Sequence, residues 1–413
     1  MRSPNSDGTP VDTERPTTVP PRGSGESMDI VQLGCGVCGL VCAEQVARHP
    51  NVDHLILADR KTEAAESLAS RIPGDKAMVR TVDGTDPTHL AKLLKECDVV
   101  VAAMPWRLNR IVLETAARVG TDYVDFGMPF DGTGPDFDRA SDVCSGGGIT
   151  ALLGMGMEPG ISDVFAMHAA RRLDRADEAH VFDGDTASVE GLEFFSTWSP
   201  VDLLDEMSVP AAVFVDGKIE FVPPMSERRT YAFPEPIGPL TVYKTNHDET
   251  YFLPMGIPSL RHASFNIHVD DALVQAAAIL RKLGLLRREA IDVRGVRVRP
   301  MDVIAAAMPS PAELTDRIRG DTCFVVEVTG LKDGRKVKAR MWTMASHEDT
   351  YRRHATNATG YLVGTGGAIA TEMLLDGEVR QKGIVIPEHL STESYLRRLK
   401  ERGVDVREEL LDL

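Results

Sequence analysis

The sequence predicts an α/β protein that begins with a doubly wound parallel sheet and continues into an α+β domain with a mixed sheet. Three observations favour this fold class. A glycine-rich turn follows the first apolar run. Strand-like and helix-like segments then alternate as far as about residue 155. Beyond about residue 179, aromatic strand-like segments take over and continue to about residue 343.

Composition shifts divide the chain into four segments. Residues 1–27 are rich in Pro, Ser, Thr and Gly, which predicts a disordered tail. We place the parallel-sheet domain at residues 28–155 and the α+β domain at residues 156–355. We expect the last segment, residues 356–413, to return to the first domain, because its predicted helix begins among small residues that allow close packing.

The first strand leads into a G-x-G-x-x-G triplet. Gly34 allows a sharp turn, Gly36 lets a pyrophosphate approach the backbone, and Gly39 permits close helix–strand packing. The free N–H groups at the start of the following helix favour an anion. The motif predicts a Rossmann-type dinucleotide site, whose phosphate-binding turn comprises Gly34, Cys35, Gly36, Val37, Cys38 and Gly39.

The second predicted strand, residues 54–58, ends at Asp59, twenty residues after Gly39. A dinucleotide site needs an acceptor for the adenosine ribose hydroxyls at this distance. Because the carboxylate of Asp59 repels a ribose phosphate, we expect NAD as the cofactor. Arg60 could accommodate a phosphate, so NADP remains the alternative.

Further strand and helix segments complete the predicted parallel sheet. The third strand ends at Asp83, and the fourth, a buried-type run, ends at Ala103, Met104 and Pro105, all of which we expect to contact the cofactor. Helices are predicted at residues 61–72, 87–96, 107–119 and 161–173, and strands at 77–82, 98–103, 122–126 and 149–154.

The second half of the chain carries hairpin signals at residues 216–218 and 332–335. Helices are expected at residues 271–283 and 301–308 within this α+β part. Further helices are expected at residues 360–375 and, together with a last strand, within 382–413.

Charge and hydropathy exclude some classes of partner. The net charge of −16 argues against nucleic acid and anionic membranes. The 413 residues contain no apolar run long enough for a transmembrane helix and no secretion signal at the start, so we expect a cytoplasmic protein.

Three of the six cysteines, Cys35, Cys38 and Cys42, have a spacing that could indicate metal or redox chemistry. They fall in the glycine-rich turn and the first helix, where small apolar side chains pack against the sheet. We interpret them as packing residues, which fits a reducing compartment, and expect no metal site.

Ligands of doubly wound sheets bind beyond the carboxyl ends of the strands. Asp125 and Glu158 fall there, and we expect them to bind a substrate amine or transfer a proton. Trp106 could cover the nicotinamide or an alkyl chain of the substrate. Structural roles are the alternative for all three residues.

The second domain must supply the other wall of the site. His247 and Glu249 alternate on a predicted strand, so they would point the same way and form a unit for proton transfer and amine binding. We expect Arg261 and His262 to bind a substrate carboxylate, for which Arg is the natural bidentate partner. Ser196 and Trp198 are further candidates for the pocket.

In these motifs and in several further blocks of sequence, the chain resembles the saccharopine dehydrogenase family and, within it, the lysine 6-dehydrogenase-like proteins. The matches extend over residues 28–413 and include residues 98–105, 155–162, 195–200 and 382–388. The resemblance implies NAD(P)-dependent hydride transfer at a carbon bearing nitrogen, on a basic amino acid or an imine made from it. It also implies a Rossmann domain, a mixed-sheet substrate domain and a homodimer.

The leading hypothesis is oxidative deamination of a lysine-like ω-amine to a semialdehyde that cyclises to an imine. Such an amine, with a reference pKa near 10.4, must first lose a proton, which a carboxylate or imidazole base can accept. The alternatives are an opine-type imine reductase that condenses an amino acid with an aldehyde or keto acid, a cyclase or lyase that keeps NAD bound, and a non-catalytic nucleotide-binding sensor.

Overall fold

The computed structural model describes residues 27–128 and 134–413. The tail predicted at residues 1–27 lies outside these ranges except for its last residue. The first domain is built on a parallel sheet in the order β17-β6-β5-β4-β1-β2-β3. Its strands are β1 (Met28–Leu33), β2 (Val52–Asp59), β3 (Ala77–Thr81), β4 (Val99–Ala102), β5 (Asp122–Asp125), β6 (Thr150–Leu152) and β17 (Gly383–Val385).

Helices cover this sheet in the alternation that the sequence predicts, which confirms the Rossmann-type fold. Asp86 accepts hydrogen bonds from the first turn of the third helix, and left-handed Gly120 ends the fourth. A 3₁₀ turn, Trp106–Leu108, precedes the fourth helix. The helices are α1 (Val37–Val46), α2 (Thr62–Ala69), α3 (Pro87–Leu94), α4 (Asn109–Val119) and α5 (Phe137–Gly147).

The second domain is a mixed sheet, as expected for an α+β domain. Its main path runs β10-β11-β12-β7-β15-β16-β18, with β8 and β9 attached beside β12. Only the β12–β7 pair is parallel within the described residues. Its strands are β7 (Arg175–Asp185), β8 (Ala211–Val215), β9 (Lys218–Val222), β10 (Ser226–Ala232), β11 (Pro239–Lys244), β12 (His262–Ile267), β15 (Asp321–Lys332), β16 (Arg335–Ser346) and β18 (Arg407–Asp412).

Helices and a small hairpin surround the mixed sheet. The types predicted for residues 161–173, 271–283 and 301–308 are confirmed. The hairpin is β13 (Ile291–Val293) with β14 (Val296–Val298). The helices are α6 (Ile161–Ala170), α7 (Pro200–Glu206), α8 (Glu249–Gly256), α9 (Asp271–Lys282), α10 (Pro300–Ala307), α11 (Pro311–Leu314), α12 (His347–His354), α13 (Ala358–Leu375) and α14 (Thr392–Glu401).

Both hairpin signals are confirmed. Asp216 and Gly217 join β8 to β9, and Asp333 and Gly334 join β15 to β16, each pair with positive φ. Positive φ at both central residues gives a turn whose twist matches that of the flanking strands.

The C-terminal segment connects the two sheets. Helix α13 packs against α1 so closely that a Cβ at Gly364 would lie 2.4 Å from the carbonyl oxygen of Cys38. Strand β17 then joins the parallel sheet beside β6, whereas β18 joins the mixed sheet beside β16. The sequence predicts two helices and one strand in this region, and it does not predict the second strand. In the part of the chain that the structure describes, no helix combines the length and apolarity needed to cross a bilayer.

Candidate active site

A cavity of about 580 Å³ lies between the two domains, at the carboxyl ends of the parallel strands. One wall comes from the glycine-rich turn and the loops after β2, β3 and β4. The other comes from β7, α7 and the loop before α8. This is the place where doubly wound sheets bind ligands.

The glycines of the turn fit the roles that the motif predicts. A Cβ at Gly34 would lie 2.2 Å from the carbonyl oxygen of Ala103, and Gly34 has a φ of +90°. A Cβ at Gly39 would lie 2.1 Å from the carbonyl oxygen of Gly34. A Cβ at Gly36 would meet no atom within 4 Å, because this residue faces the open cavity.

The N-terminus of α1 faces the same cavity and offers a place for a pyrophosphate. No side chain caps Gly36, and the first backward hydrogen bond of the helix runs from Leu40 to Gly36. Val37, Cys38 and Gly39 line the cavity, so their backbone N–H groups are available to phosphate oxygens. The residues present therefore fit a dinucleotide cofactor.

The ribose acceptor is held next to the turn. The Asp59 carboxylate accepts hydrogen bonds from the backbone N–H groups of Cys35 (2.9 Å) and Lys61 (3.0 Å). Cys35 is buried and does not line the cavity, so it positions Asp59 rather than the phosphates. Arg60 lines the cavity beside Asp59.

The remaining cofactor candidates, Asp83, Ala103, Met104 and Pro105, also line the cavity. Asp83 accepts hydrogen bonds from the hydroxyl and the backbone N–H of Thr85, which hold the pKa of this carboxyl below its usual value.

Asp125 is not part of the cavity wall, so our expectation for this residue needs correction. Its side chain is fully buried and accepts hydrogen bonds from the backbone N–H of Gly154 (2.7 Å) and the hydroxyl of Tyr123 (2.9 Å). Burial raises its pKa well above the usual value. Asp125 joins the end of β5 to the loop after β6, which is a structural role.

Glu158 does line the cavity, and its environment is unusual. Both carboxyl oxygens are buried without a hydrogen-bond partner among the described residues. Burial raises the pKa of Glu158 well above its usual value, and the nearby carboxyls of Asp183, Glu249 and Glu206 raise it further. A buried carboxyl that finds no partner within residues 27–128 and 134–413 is suited to binding a ligand.

Glu158 is part of a larger acidic group on the substrate side of the cavity. Burial raises the pKa of Asp183 and of Glu206 to about 8 each, against the lowering effect of His247. One carboxyl oxygen of Asp183 also lacks a partner among the described residues. We call the acidic residues of this wall the acidic cluster: Glu158, Asp183, Asp185, Asp202, Asp205, Glu206 and Asp248.

Sequence reasoning missed most of the acidic cluster. Asp183 directly follows Val181 and Phe182 in the buried part of β7, and a carboxyl at this point could have indicated a functional residue. Asp202 and Asp205 read as ordinary charges of a short helix, and only the fold brings them to the cavity.

His247 lines the cavity, but the predicted strand is wrong. His247 lies in a loop, and Glu249 is the first residue of α8. The two still meet, because the chain turns between them: His247 Nδ1 lies 2.5 Å from Glu249 Oε2. The His247 ring also stacks on Phe265 at 3.9 Å between centroids.

Burial alone would lower the pKa of His247, but the carboxylates of Glu249, Glu206 and Asp248 raise it to about 9. The imidazole is thus protonated at neutral pH. Since Nδ1 faces Glu249, Nε2 is left for a ligand. An oriented imidazolium in a cavity is a general-acid candidate.

Aromatic and cationic side chains complete the substrate wall. Trp106 and Trp198 both line the cavity. The guanidinium of Arg288 lies 5.1 Å from the centre of the Trp106 ring, and its Nε donates to Asp205 at 2.9 Å. Arg288 was not singled out from the sequence, since it follows α9 without any recognisable motif.

Three candidates for the substrate wall lie elsewhere. Arg261 is exposed and donates twice to Asp216 across the end of a hairpin. His262 begins β12 and, like Arg261, does not line the cavity. Ser196 is buried behind the wall, where its hydroxyl accepts from the backbone N–H of Trp198 at 3.2 Å. Across the described ranges, no group of His, Cys, Asp and Glu is arranged to hold a metal ion.

Comparison with protein families matches both halves of the chain. The saccharopine dehydrogenase NADP binding domain matches residues 30–144, and the saccharopine dehydrogenase C-terminal domain matches residues 156–404. The chain belongs to the saccharopine dehydrogenase family. It is therefore a saccharopine dehydrogenase-like oxidoreductase that uses NAD(P).

Two relatives are similar to the chain over most of its length, and one solved structure has the same fold. The chain is 24% identical to carboxyaminopropylagmatine dehydrogenase of Synechocystis sp. over 91% of its length and 96% of that protein. It is 28% identical to carboxynorspermidine synthase of Vibrio cholerae, with the same two coverages of 91% and 96%. The apo saccharopine dehydrogenase (L-Glu forming) of Saccharomyces cerevisiae has the same fold, with a TM-score of 0.69 at 19% identity, over 93% of this chain and 100% of that one.

Proposed function

We propose that the protein joins a di- or polyamine to a carbonyl compound that carries a carboxylate, by NAD(P)H-dependent reduction of the imine that the two form. This is the opine-type reaction that the sequence left as an alternative, with a di- or polyamine in place of the amino acid. The observation that carries it is the acidic cluster, which places several buried carboxyls around one cavity wall. The names of two relatives, a carboxynorspermidine synthase and a carboxyaminopropylagmatine dehydrogenase, support an amine substrate.

The charge of the cavity favours a ligand with more than one cationic group. Glu158 and Asp183 have carboxyl oxygens without partners among the described residues, and mutual repulsion makes two buried carboxylates costly. A cation between them offsets that cost. A single ammonium group leaves the rest of the acidic cluster uncompensated, whereas a di- or polyamine reaches several carboxyls.

The same carboxyls can prepare the amine for reaction. An ammonium group has no lone pair, so one amine nitrogen must lose its proton before it attacks a carbonyl. Asp183 and Glu206 have pKa values of about 8, so each is partly protonated near neutral pH, and the ionised fraction accepts a proton more readily than an ordinary carboxylate does. We assign this general-base role to the acidic cluster and not to a single member.

The carboxylate of the carbonyl compound requires a cation in this acidic cavity. Arg288 and His247 are cationic groups of the substrate wall, and His247 is held by Glu249. We assign the carboxylate to Arg288, whose guanidinium is fixed between the Trp106 ring and Asp205 and presents a planar donor face.

The proposed reaction consumes one amine, one carbonyl compound, one hydride and one proton, and it releases one water. Amine and carbonyl lose one water to form a C=N bond. When bound beyond the N-terminus of α1, NAD(P)H supplies hydride to the carbon of this bond. His247 donates a proton from Nε2 to the nitrogen, which gives the secondary amine, and then regains a proton from water. Glu249 stabilises the imidazolium, and Phe265 holds its ring in place.

We also propose a cytoplasmic homodimer. All six cysteines are free, as expected in a reducing compartment. Ile279 and Leu283 on and after α9 and Val296 on β14 are exposed apolar side chains that a second copy of the chain could cover. Sedimentation velocity at micromolar concentration should show the mass of two chains, and a single chain mass would contradict the dimer.

A panel of substrates tests the function. Oxidation of NADH and NADPH is followed by absorbance with diamines, triamines and an agmatine-type guanidino amine, each combined with aldehydes that do or do not carry a carboxylate. We expect turnover only when amine and carboxylated aldehyde are both present. Reduction of NAD(P) by lysine alone, without any aldehyde, would instead support oxidative deamination of an ω-amine.

A further inference from the structure

Behind His247, away from the cavity, lies a set of buried carboxyls, of which the proposed reaction uses only Glu249. Asp163, Glu249 and Glu388 are each no more than 4% exposed, and they come from α6, α8 and the 3₁₀ turn Pro387–His389. We call these three residues with Ser162 the buried carboxyl network. Three elements that are distant in sequence each contribute one acidic residue to the same part of the core.

The network is continuous from the cavity wall. Glu249 binds His247 through Oε2, and its other oxygen, Oε1, accepts from the hydroxyl of Ser162 at 2.8 Å. Ser162 Oγ also lies 3.4 Å from Asp163 Oδ2, which accepts from the backbone N–H of Gly160 at 2.7 Å.

The network ends in a direct meeting of two acids. The side chains of Asp163 and Glu388 are within hydrogen-bonding reach of each other. Neither Glu388 oxygen has any donor among the described residues, and Asp163 Oδ1 has none either. The backbone admits Glu388 at this point only because residue 256 is glycine: a Cβ there would lie 2.3 Å from Glu388 Cγ.

Two carboxylates cannot share such a buried place while both are charged, because their repulsion is unscreened. One proton between them removes the repulsion and supplies the missing donor. Burial also raises the pKa values of both carboxyls, that of Glu388 to about 7. The other titratable groups that face this pair are Glu249 from α8 and Tyr395 from α14.

We propose that Asp163 and Glu388 hold one proton between them and thereby act as positioning residues for the acid–base group His247. With the proton present, Asp163 does not need the hydroxyl of Ser162, which then stays on Glu249 and fixes Glu249 against the imidazole. The proposal rests on the proposed function only where it calls His247 the acid; the shared proton itself does not.

Without the shared proton, the hydroxyl of Ser162 would turn from Glu249 to the ionised Asp163. Glu249 would lose its second hydrogen bond, and its charge would act on His247 alone. The other acids that face His247 are Glu206, Asp248 and Asp183, and none belongs to the buried carboxyl network.

Two substitutions of Glu388 distinguish the effect of the shared proton from the effect of side-chain packing. Glu388→Gln keeps shape and gives Asp163 a permanent N–H donor, which imitates the shared proton. Glu388→Met keeps most of the volume but offers no donor. Glu393→Gln, at an exposed position of α14, is the matched control.

Infrared difference spectra of the full chain at pH 8 read the proton directly. We expect wild-type protein to show the C=O band of a protonated carboxyl that Glu388→Gln and Asp163→Asn both lack and that Glu393→Gln retains. Loss of only ionised-carboxylate bands in the two variants would overturn the proposal. This measurement does not depend on substrate or on activity, and Glu388→Gln keeps it possible even if Glu388→Met does not fold.

A titration of His247 by NMR reads the positioning. We expect Glu388→Met to raise the pKa of His247 by at least about half a unit, as the Glu249 charge becomes less compensated. Glu388→Gln should leave it unchanged. In turnover assays, Glu388→Met should lower kcat about tenfold with an unchanged KM for NAD(P)H. The separate variant Glu388→Gln should have the kcat of the wild-type protein. An identical His247 pKa in all variants would contradict the positioning role. If wild-type protein fails to turn over amine–aldehyde pairs, the proposed reaction is wrong, while the infrared and NMR results still decide on the network.

Discussion

His247 Nδ1 lies 2.5 Å from Glu249 Oε2, and this contact fixes both the orientation and the charge of an imidazole on the substrate wall. The Glu249 side chain is completely buried, so its carboxylate has no water to share its charge. An ion pair in such a place acts strongly on the pKa of the histidine.

Replacing Glu249 should therefore make His247 lose its proton at a lower pH. The pKa of His247, about 9 in the wild-type protein, should fall by at least about one unit in Glu249→Gln, because the largest opposing effect, burial, favours the neutral ring. The alkaline limb of the kcat profile should move to lower pH by the same amount. Glu220→Gln, on an exposed strand, should behave as wild type, and an unshifted limb in Glu249→Gln would argue against His247 as the acid.

The acidic cluster should set the affinity for the amine. We expect Glu158→Gln to raise the KM for the amine about tenfold and to leave the KM for NAD(P)H unchanged, because Glu158 lies on the substrate side. The increase should be larger for a triamine than for a monoamine. Asp174→Asn, outside the cavity, serves as the control, and equal increases for all amines would show that charge recognition lies elsewhere.

The acidic cluster should make the folded protein less stable at high pH. Because burial raises the pKa of Asp183 to about 8, the folded protein binds a proton that the unfolded chain has already lost above about pH 4. Stability from this group therefore falls as pH rises from about 4 to 8. Asp183→Asn should raise Tm relative to wild type at pH 8 and have little effect at pH 4, as measured by calorimetry. A larger gain at pH 4 than at pH 8 would contradict the assigned shift.

Replacing Arg288 tests the binding of the substrate carboxylate, and replacing Arg261 is the matched control. Arg288→Met should raise the KM for the carboxylated carbonyl compound about tenfold or more, because a charged hydrogen-bonding pair is lost. Arg261→Met should change it less than about twofold, since Arg261 is exposed and paired with Asp216. Steady-state kinetics with the amine saturating distinguish the two, and equal effects would remove Arg288 from this role.

Asp59 should decide between the two cofactors. Asp59→Ala removes the ribose acceptor and the partner of the Cys35 N–H, so the KM for NADH should rise several-fold, while circular dichroism shows an unchanged fold. NADPH should be favoured relative to NADH, since Arg60 remains beside the site. An unchanged KM for NADH in Asp59→Ala would refute this role of the carboxylate.

The parts of the fold that depend on local spacing could be predicted from the sequence. The glycines at 34 and 39 are required by contacts with backbone close in the fold, and Asp59 lies at the fixed distance that one strand–helix–strand unit imposes. The pair His247 and Glu249 was also found from spacing alone, although the chain brings them together through a helix start and not through a strand.

The rest of the site depends on contacts between distant segments, which periodicity does not encode. Arg261 resembles a substrate ligand until Asp216, 45 residues away, is seen to occupy its guanidinium. Arg288 and Asp205 meet across 83 residues. Asp125 stands at a strand end like a catalytic acid, yet the loop after β6 covers it.

Transfer of deuterium from labelled NAD(P)D is the most direct test of the central claim, that the acidic cavity reductively joins an amine to a carboxylated aldehyde. We predict a product whose mass equals amine plus aldehyde minus water plus one hydrogen and one deuterium, with the deuterium on the carbon newly bonded to nitrogen. A product without deuterium at that carbon, or oxidation of NAD(P)D without any joined product, would contradict it.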